Sequence, residues 1–252
     1  MKTLVQLYSA RNFTPWDRIL DQVKSSAYDG VEGFFANYED PAAFRKLLDE
    51  HGLMMPQGHF GLDLLEGNFE KAVSIARTLG ISTVIAPWLA PEDRPTGHAG
   101  WKALAARLKV LDTKVRGEGF DFAWHNHDFE FVAVEDGVIP MDILLDAAPE
   151  MNWEADLGWI LRAGGSPLDW LKARADRIVA VHLKDVQADC DKAPEDGWAD
   201  LGHGVSDWVP IFKELEKLPS LKAYVAEHDN PADLDRFLRR WSQSFKTLSS
   251  QK

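Results

Sequence analysis

The sequence predicts an α/β fold, a single (β/α)8 TIM barrel spanning residues 1–252 as one domain. Three observations carry that expectation: eight short apolar runs, amphipathic segments between them, and a length of 252 residues that suits eight βα units. The runs are Thr3 to Tyr8, Gly30 to Phe35, Leu53 to His59, Ser82 to Trp88, Phe120 to His125, Asn152 to Asp156, Ile178 to Lys184 and Leu221 to Glu227. Between the fourth and fifth, Trp101, Leu104, Ala105, Leu108, Leu111 and Val115 recur at the i, i+3, i+4, i+7 spacing of one helix face. Leu65, Phe69, Ala72, Val73 and Ala76 form a second such stripe. Leu234, Phe237, Leu238, Trp241, Phe245 and Leu248 form the stripe of a last, eighth helix. Gly30, Gly52, Gly80 and Gly119 each stand between a helical segment and a strand, where a positive φ ends a helix at little cost. Val186 to Val205, rich in Asp, Gly and Pro, lacks a helical pattern and is expected as a functional loop at the barrel mouth.

Composition narrows the function classes. Forty acidic against 28 basic residues leave a net charge of −12, and no basic cluster stands out, which argues against nucleic acid and anionic membranes as partners. The single cysteine, Cys190, can form no intrachain disulfide and supports no Cys-based zinc site. With no leader-like start and no long apolar run, the expectation is a cytoplasmic protein, with homo-oligomerisation left open. Ten Trp and eight His against four Tyr are an unusual balance, so their positions matter.

A barrel of this kind carries its chemistry at the C-terminal ends of its strands. Here those ends are polar: Gln57-Gly58-His59, Trp124-His125-Asn126-His127, Glu154-Ala155-Asp156, His182-Leu183-Lys184-Asp185 and Glu227-His228-Asp229. Side chains alternate along a strand, so Phe120, Phe122 and Trp124 face the helices while His125 and His127 face the mouth. By the same parity Asp156 opposes Trp153, and His182 and Lys184 oppose Val179 and Val181. Carboxylates and imidazoles gathered this way repel or protonate unless a cation joins them. Asp156, Glu227, His182 and His125 form a mixed O/N donor set suited to Mn²⁺, Co²⁺, Fe²⁺, Zn²⁺ or Mg²⁺. His59 and His203 read either as ligand-facing groups or as hydrogen-bonded structural residues. Trp153, Trp170 and Trp241 fall on apolar stripes and read as core.

At these positions the chain resembles the xylose isomerase-like TIM barrel superfamily, which holds sugar phosphate isomerases and epimerases, ketose 3-epimerases, inosose and 3-dehydroshikimate dehydratases, and endonuclease IV. The likeness spans nearly the whole chain. Its most specific stretches are Trp124-His125-Asn126-His127-Asp128-Phe129-Glu130-Phe131 and Val181-His182-Leu183-Lys184-Asp185, joined by Glu154 to Trp159, Leu201 to Gly204 with Trp208, and Ala226 to Asp229. The resemblance implies a metal held after strands five to eight, with Asp156, His182 and Glu227 at three of the ligand positions. The fourth departs from the pattern: His125 stands where relatives carry Glu. That exchange removes one carboxylate of the two-glutamate proton shuttle that the resemblance to epimerases would imply. His127 matches a general base of the dehydroshikimate dehydratase type, and Lys184 an active-site acid or electrostatic stabiliser.

The chemistry so implied is removal of a proton next to a carbonyl in a sugar or keto-sugar. Return of the proton gives isomerisation or epimerisation, the primary expectation; loss of a β-substituent gives the dehydratase or eliminase alternative. His127 is assigned as base, Lys184 as acid or oxyanion partner and Glu227 as a further catalytic group. His59, Glu130, Trp88 and His203 are assigned to substrate binding, with Phe60 and Trp159 as added apolar faces. Gly202-His203-Gly204 offers a possible phosphate nest, although the acidic balance favours a neutral substrate. A DNA repair barrel and a non-catalytic sugar-binding barrel are the remaining alternatives.

Overall fold

In the computed structural model, which describes residues 1–251, eight parallel strands close into a barrel. They are β1 (Lys2–Gln6), β2 (Gly30–Gly33), β3 (Met54–His59), β4 (Thr83–Ala86), β5 (Asp121–His125), β6 (Asn152–Asp156), β7 (Ile178–Leu183) and β10 (Ala223–Ala226), in the order β1-β10-β7-β6-β5-β4-β3-β2. The two remaining strands, β8 (Asp185–Val186) and β9 (Trp198–Ala199), form an antiparallel hairpin inside the long loop after β7. Ten α-helices surround the barrel among the described residues: α1 (Trp16–Ser25), α2 (Pro41–His51), α3 (Leu62–Gly67), α4 (Phe69–Leu79), α5 (Gly97–Gly117), α6 (Pro140–Ala147), α7 (Leu157–Arg162), α8 (Pro167–Ala173), α9 (Trp208–Leu215) and α10 (Leu234–Ser250). None of them is long and apolar enough to cross a membrane.

Each predicted strand run overlaps a barrel strand, and the predicted helix faces turn to the core. Helix α5 buries Trp101, Leu104, Ala105, Leu108, Leu111 and Val115, and α10 buries Leu234, Phe237, Leu238 and Trp241. The stripe from Leu65 to Ala76 belongs to two helices, because Asn68 interrupts it: its side chain accepts from the Lys71 amide and caps α4. Gly52, Gly80 and Gly119 take positive φ as expected, but Gly30 does not. Ala27 adopts the left-handed conformation after α1, and Gly30 is needed for closeness, since a Cβ there would lie 2.2 Å from the Met54 carbonyl oxygen.

The interior of the barrel is layered. Leu4, Ala180, Ala223 and Val225 pack together at its floor, with Ile85, Ala123 and Val179 as a second small apolar group. Above them Gln6, Glu32, Gln57 and Glu154 form a buried polar layer, and above that lie His125, Asp156, His182, Lys184 and Glu227. The aromatic residues mostly face outward into the helix layer. Trp124, Trp153 and Trp241 are fully buried there, and the Trp241 indole donates to the Leu183 carbonyl at 2.9 Å.

Candidate active site

Period-two alternation places the site. Glu154 and Asp156 share the inward face of β6, His125 arrives from β5, His182 and Lys184 from the end of β7, and Glu227 from the end of β10. Asn126 locks two of these ends together. Its Oδ1 accepts from the Trp153 indole at 2.9 Å and the Asp156 amide at 3.0 Å, while its Nδ2 donates to the Asp156 carbonyl. His182 lies between two carboxylate levels, Nδ1 being 2.8 Å from Glu227 Oε2 and Nε2 2.9 Å from Glu32 Oε1. His125 Nδ1 is 3.1 Å from Glu154 Oε2, and its Nε2 is 3.9 Å from Asp156 Oδ2. Lys184 is fully buried, its Nζ lying 2.8 Å from Asp229, 2.9 Å from Glu227 and 3.0 Å from Asp156.

Burial pushes every carboxyl here up, and the neighbouring cations decide the outcome. Glu32 ends well below the usual range because His59 and His182 outweigh its desolvation, and Lys184 with His182 does the same for Glu227. Asp156 stays raised, to about 6, since burial exceeds the pull of Lys184. Its Oδ2, though at ion-pair distance from Lys184, is buried without a hydrogen bond. Burial alone would lower His59, but Glu32 and Glu154 carry it to about 9. His127 moves the other way: burial, then Lys184, bring it down to about 3, so its imidazole is neutral at pH 7. Its Nδ1 is buried and has no hydrogen-bond partner.

A cavity of about 1020 Å³ opens above this cluster. Predicted residues His59, Phe60, Trp88, His125, His127, Trp159 and Glu227 all line it, and the long loop contributes Trp198 as a wall. Three expectations need correction, the first being Lys184, which is fully buried beneath the cavity and does not line it. Glu130 is fully buried and outside the lining; its carboxylate accepts from the Trp124 indole at 3.0 Å and the His127 amide at 2.9 Å, so it braces the turn that presents His127. Burial raises it to about 8, the donors drawing it partly back. His203 is exposed in a separate, shallower depression beside Glu195, Arg236 and Arg240. The adjoining nest is already filled: Asp185 accepts from the amides of Gly202 and Gly204, from Ser206 and from the Trp208 indole. An internal carboxylate thus takes the place proposed for a phosphate.

Sequence reasoning passed over Glu32 and Gln6, and gave no role to Gln57, Glu154 and Asp229, which it placed at polar strand ends. A signal existed for two of them: Glu154 stands two residues before Asp156, hence on its face, and Glu32 is a charge in the middle of a short apolar run. His125, Asp156, His182 and Glu227 each offer a ligand atom within 4.8 Å of the others. Their two imidazoles and two carboxylates suit a borderline divalent cation, and the unsatisfied Asp156 Oδ2 fits such a role.

A polar, ligand-capable cluster at the strand ends of an eight-stranded barrel defines the class of protein. Residues 20–245 match the family model described as xylose isomerase-like TIM barrel, and the chain belongs to that family. The rhizopine catabolism protein MocC of Rhizobium meliloti is 26% identical over 204 residues, covering 73% of this chain and 62% of MocC. An inosose dehydratase of Clostridium beijerinckii is 29% identical over 129 residues, 46% of this chain and 43% of that enzyme. A further inosose dehydratase, from Klebsiella pneumoniae subsp. pneumoniae, is 22% identical over 233 residues, 80% of this chain and 78% of its own. The chain therefore spans about three fifths or less of the first two relatives. Among solved structures, a sugar phosphate isomerase/epimerase from Parabacteroides distasonis superposes with a TM-score of 0.82 at 17% identity, covering 99% of this chain and 94% of its own. An IolI protein with a bound zinc atom gives 0.79 at 13% identity, with 100% and 99% covered. These two share the fold.

Proposed function

We propose that this protein is a divalent-metal-dependent enzyme that removes the proton next to a carbonyl of a small polyhydroxylated substrate and expels a β-hydroxyl, a dehydratase acting on an inosose or keto-sugar. The observation that carries the reading is the four-ligand cluster of His125, Asp156, His182 and Glu227 beneath a cavity into which a neutral His127 also faces. A bound divalent cation would polarise the substrate carbonyl and acidify the adjacent C–H enough for a base as weak as His127. The remaining steps belong to the chain. The imidazole of His127 takes the proton, held in place by the hydrogen bond its backbone amide donates to Glu130 and by ring contacts with Phe129 and Trp159. Lys184, raised by Asp156, Asp229 and Glu227 against its own burial, stays an ammonium. Fully buried and outside the cavity lining, it holds these carboxylates in place, while the imidazolium of His127 hands its proton to the leaving oxygen, which departs as water. Trp88, Trp159 and Trp198 supply apolar faces to the C–H side of a sugar or cyclitol.

Elimination is preferred to epimerisation because position 125 carries no carboxylate, and the imidazole there is engaged with Glu154. Isomerisation or epimerisation keeps support from Glu227, a carboxylate that lines the same cavity and is able to return a proton. The IolI zinc and the inosose dehydratase relatives are consistent with the metal and the substrate class proposed. The deciding experiment follows metal-loaded protein with inososes, 3-keto-sugars, ketoses and aldoses in deuterated water. Loss of water from an inosose or keto-sugar supports dehydration, carbon deuteration with a rearranged sugar supports the isomerase reading, and no exchange on any substrate overturns both.

A further inference from the structure

We infer that the buried carboxylates Glu32 and Glu154 fix which ring nitrogen His182 and His125 each present to a cation, and thereby set the metal affinity of the rim cluster. This inference rests on the metal-binding reading above. A neutral imidazole has one donor nitrogen and one acceptor nitrogen, and an ionised carboxylate only accepts. His182 Nε2 lies 2.9 Å from Glu32 Oε1 and 3.3 Å from Glu154 Oε2, so the proton belongs on Nε2. Its Nδ1 lone pair is then directed at Glu227 Oε2, 2.8 Å away, and toward Asp156 Oδ2 at 3.9 Å. Acceptor atoms this close need a positive species between them, the proton of an imidazolium or, in its place, a bound cation. In His125 the roles of the ring atoms reverse: Nδ1 meets Glu154 Oε2 at 3.1 Å and Nε2 is turned toward Asp156 Oδ2 at 3.9 Å. Two histidines, on the strands β5 and β7 that flank β6, thus present opposite nitrogens toward Asp156.

The lower carboxylates are themselves held from beneath. Gln6 Nε2 donates to Glu32 at 2.6 Å, Gln57 bridges Glu32 and Glu154, and His59 Nε2 stands 3.0 Å from Glu32 and 2.8 Å from Glu154. All four residues of this polar layer are buried, so neither carboxylate can swing away into water. His59, His125, Glu154 and His182 also bring ligand atoms within 4.8 Å of one another. Glu32 and Glu154 are engaged by Gln6, Gln57 and His59 from below and by His182 and His125 from above, however, and that makes the layer a support for the ligands above rather than a second cation site. Glu32 and Glu154 are positioning residues, of the kind whose removal weakens metal binding by about 10–100-fold.

The test uses full-length, metal-stripped protein and Zn²⁺ alone as probe. Competition against a chromophoric chelator gives its affinity for wild type, Glu32→Gln and Glu154→Gln, and histidine ¹⁵N NMR of zinc-loaded wild type reports the ligating nitrogens directly. Expected are a loss of about 10–100-fold in each variant, with His182 ligating through Nδ1 and His125 through Nε2. Zinc bound with the same nitrogen from both rings, or affinities within twofold of wild type in both folded variants, overturns the inference while leaving the metal reading standing. Wild type that takes up no zinc overturns the metal reading itself. The NMR assignment is made on wild type, so it decides the question even where a variant fails to fold.

Discussion

The floor and the mouth of the barrel interior are built on the same strands, one pleat apart. Leu4 gives way to Gln6 on β1, Ala123 to His125 on β5, Ala180 to His182 on β7 and Val225 to Glu227 at the end of β10. At the floor, small apolar side chains fill space, stabilise by burial and leave no polar atom to satisfy. At the mouth, buried charges are tied pairwise in a network whose members cannot be removed singly without stranding a partner. The lesson is a division of labour by depth: the floor carries stability, the mouth carries chemistry, and the glutamine and glutamate layer between them converts one into the other.

Four measurements test that division, the largest effect first. His127→Ala should lower turnover by about 10²–10⁴-fold while metal content and the unfolding midpoint stay near wild type; full activity would remove His127 from the mechanism. At the floor, Leu4→Ala should cost about 2–5 kcal/mol in denaturant unfolding with turnover per folded molecule unchanged. A selective loss of turnover there would erase the distinction between the levels.

His228 sharpens the comparison, because it follows Glu227 in sequence yet faces out of the barrel against Phe237. Burial, opposed by Glu195 and Asp200, lowers it to about 4 in the folded chain, against about 6.5 when unfolded. Below pH 6.5 the unfolded chain binds a proton that the folded chain does not, so stability falls between pH 6.5 and 4, by up to about 3 kcal/mol. Urea unfolding at pH 7 and 4.5 should show a smaller difference in His228→Gln than in wild type; an equal difference would assign the loss to other groups. Smallest is Trp88→Ala at the rim, where the indole is 45% exposed. It should raise KM a few-fold and leave stability within about 0.5 kcal/mol, and a larger destabilisation would make Trp88 part of the core.

Much of this was legible in the chain itself. Strand and helix periods are local, so the alternating runs, the α5 and α10 stripes and the inward parity of His125, Asp156 and His182 followed from spacing alone, and Glu227 from its place at a strand end. Asn68 splitting one predicted stripe, and Ala27 rather than Gly30 taking a positive φ, show where local signals compete and packing chooses. Glu130 illustrates a different gap. Its place in a polar stretch suggested a substrate contact, but its direction depends on the Trp124 indole and the His127 amide, which fold back onto it. The same holds for the nest at Gly202 to Gly204, whose occupant, Asp185, lies 17 residues before Gly202.

By itself, then, the sequence determined the barrel and most of the side chains brought to its mouth, because residue period and strand-end position are properties of neighbours along the chain, and its motifs pointed to the family. Only the tertiary structure decided how those side chains divide the work. Which nitrogen of each histidine meets which carboxylate, and that Glu32, 150 residues from His182, supports it from below, depend on strand register around a closed sheet. Hydrogen bonds of about 3 Å are set by that register and by burial, and neither is written in the spacing of residues along a single strand.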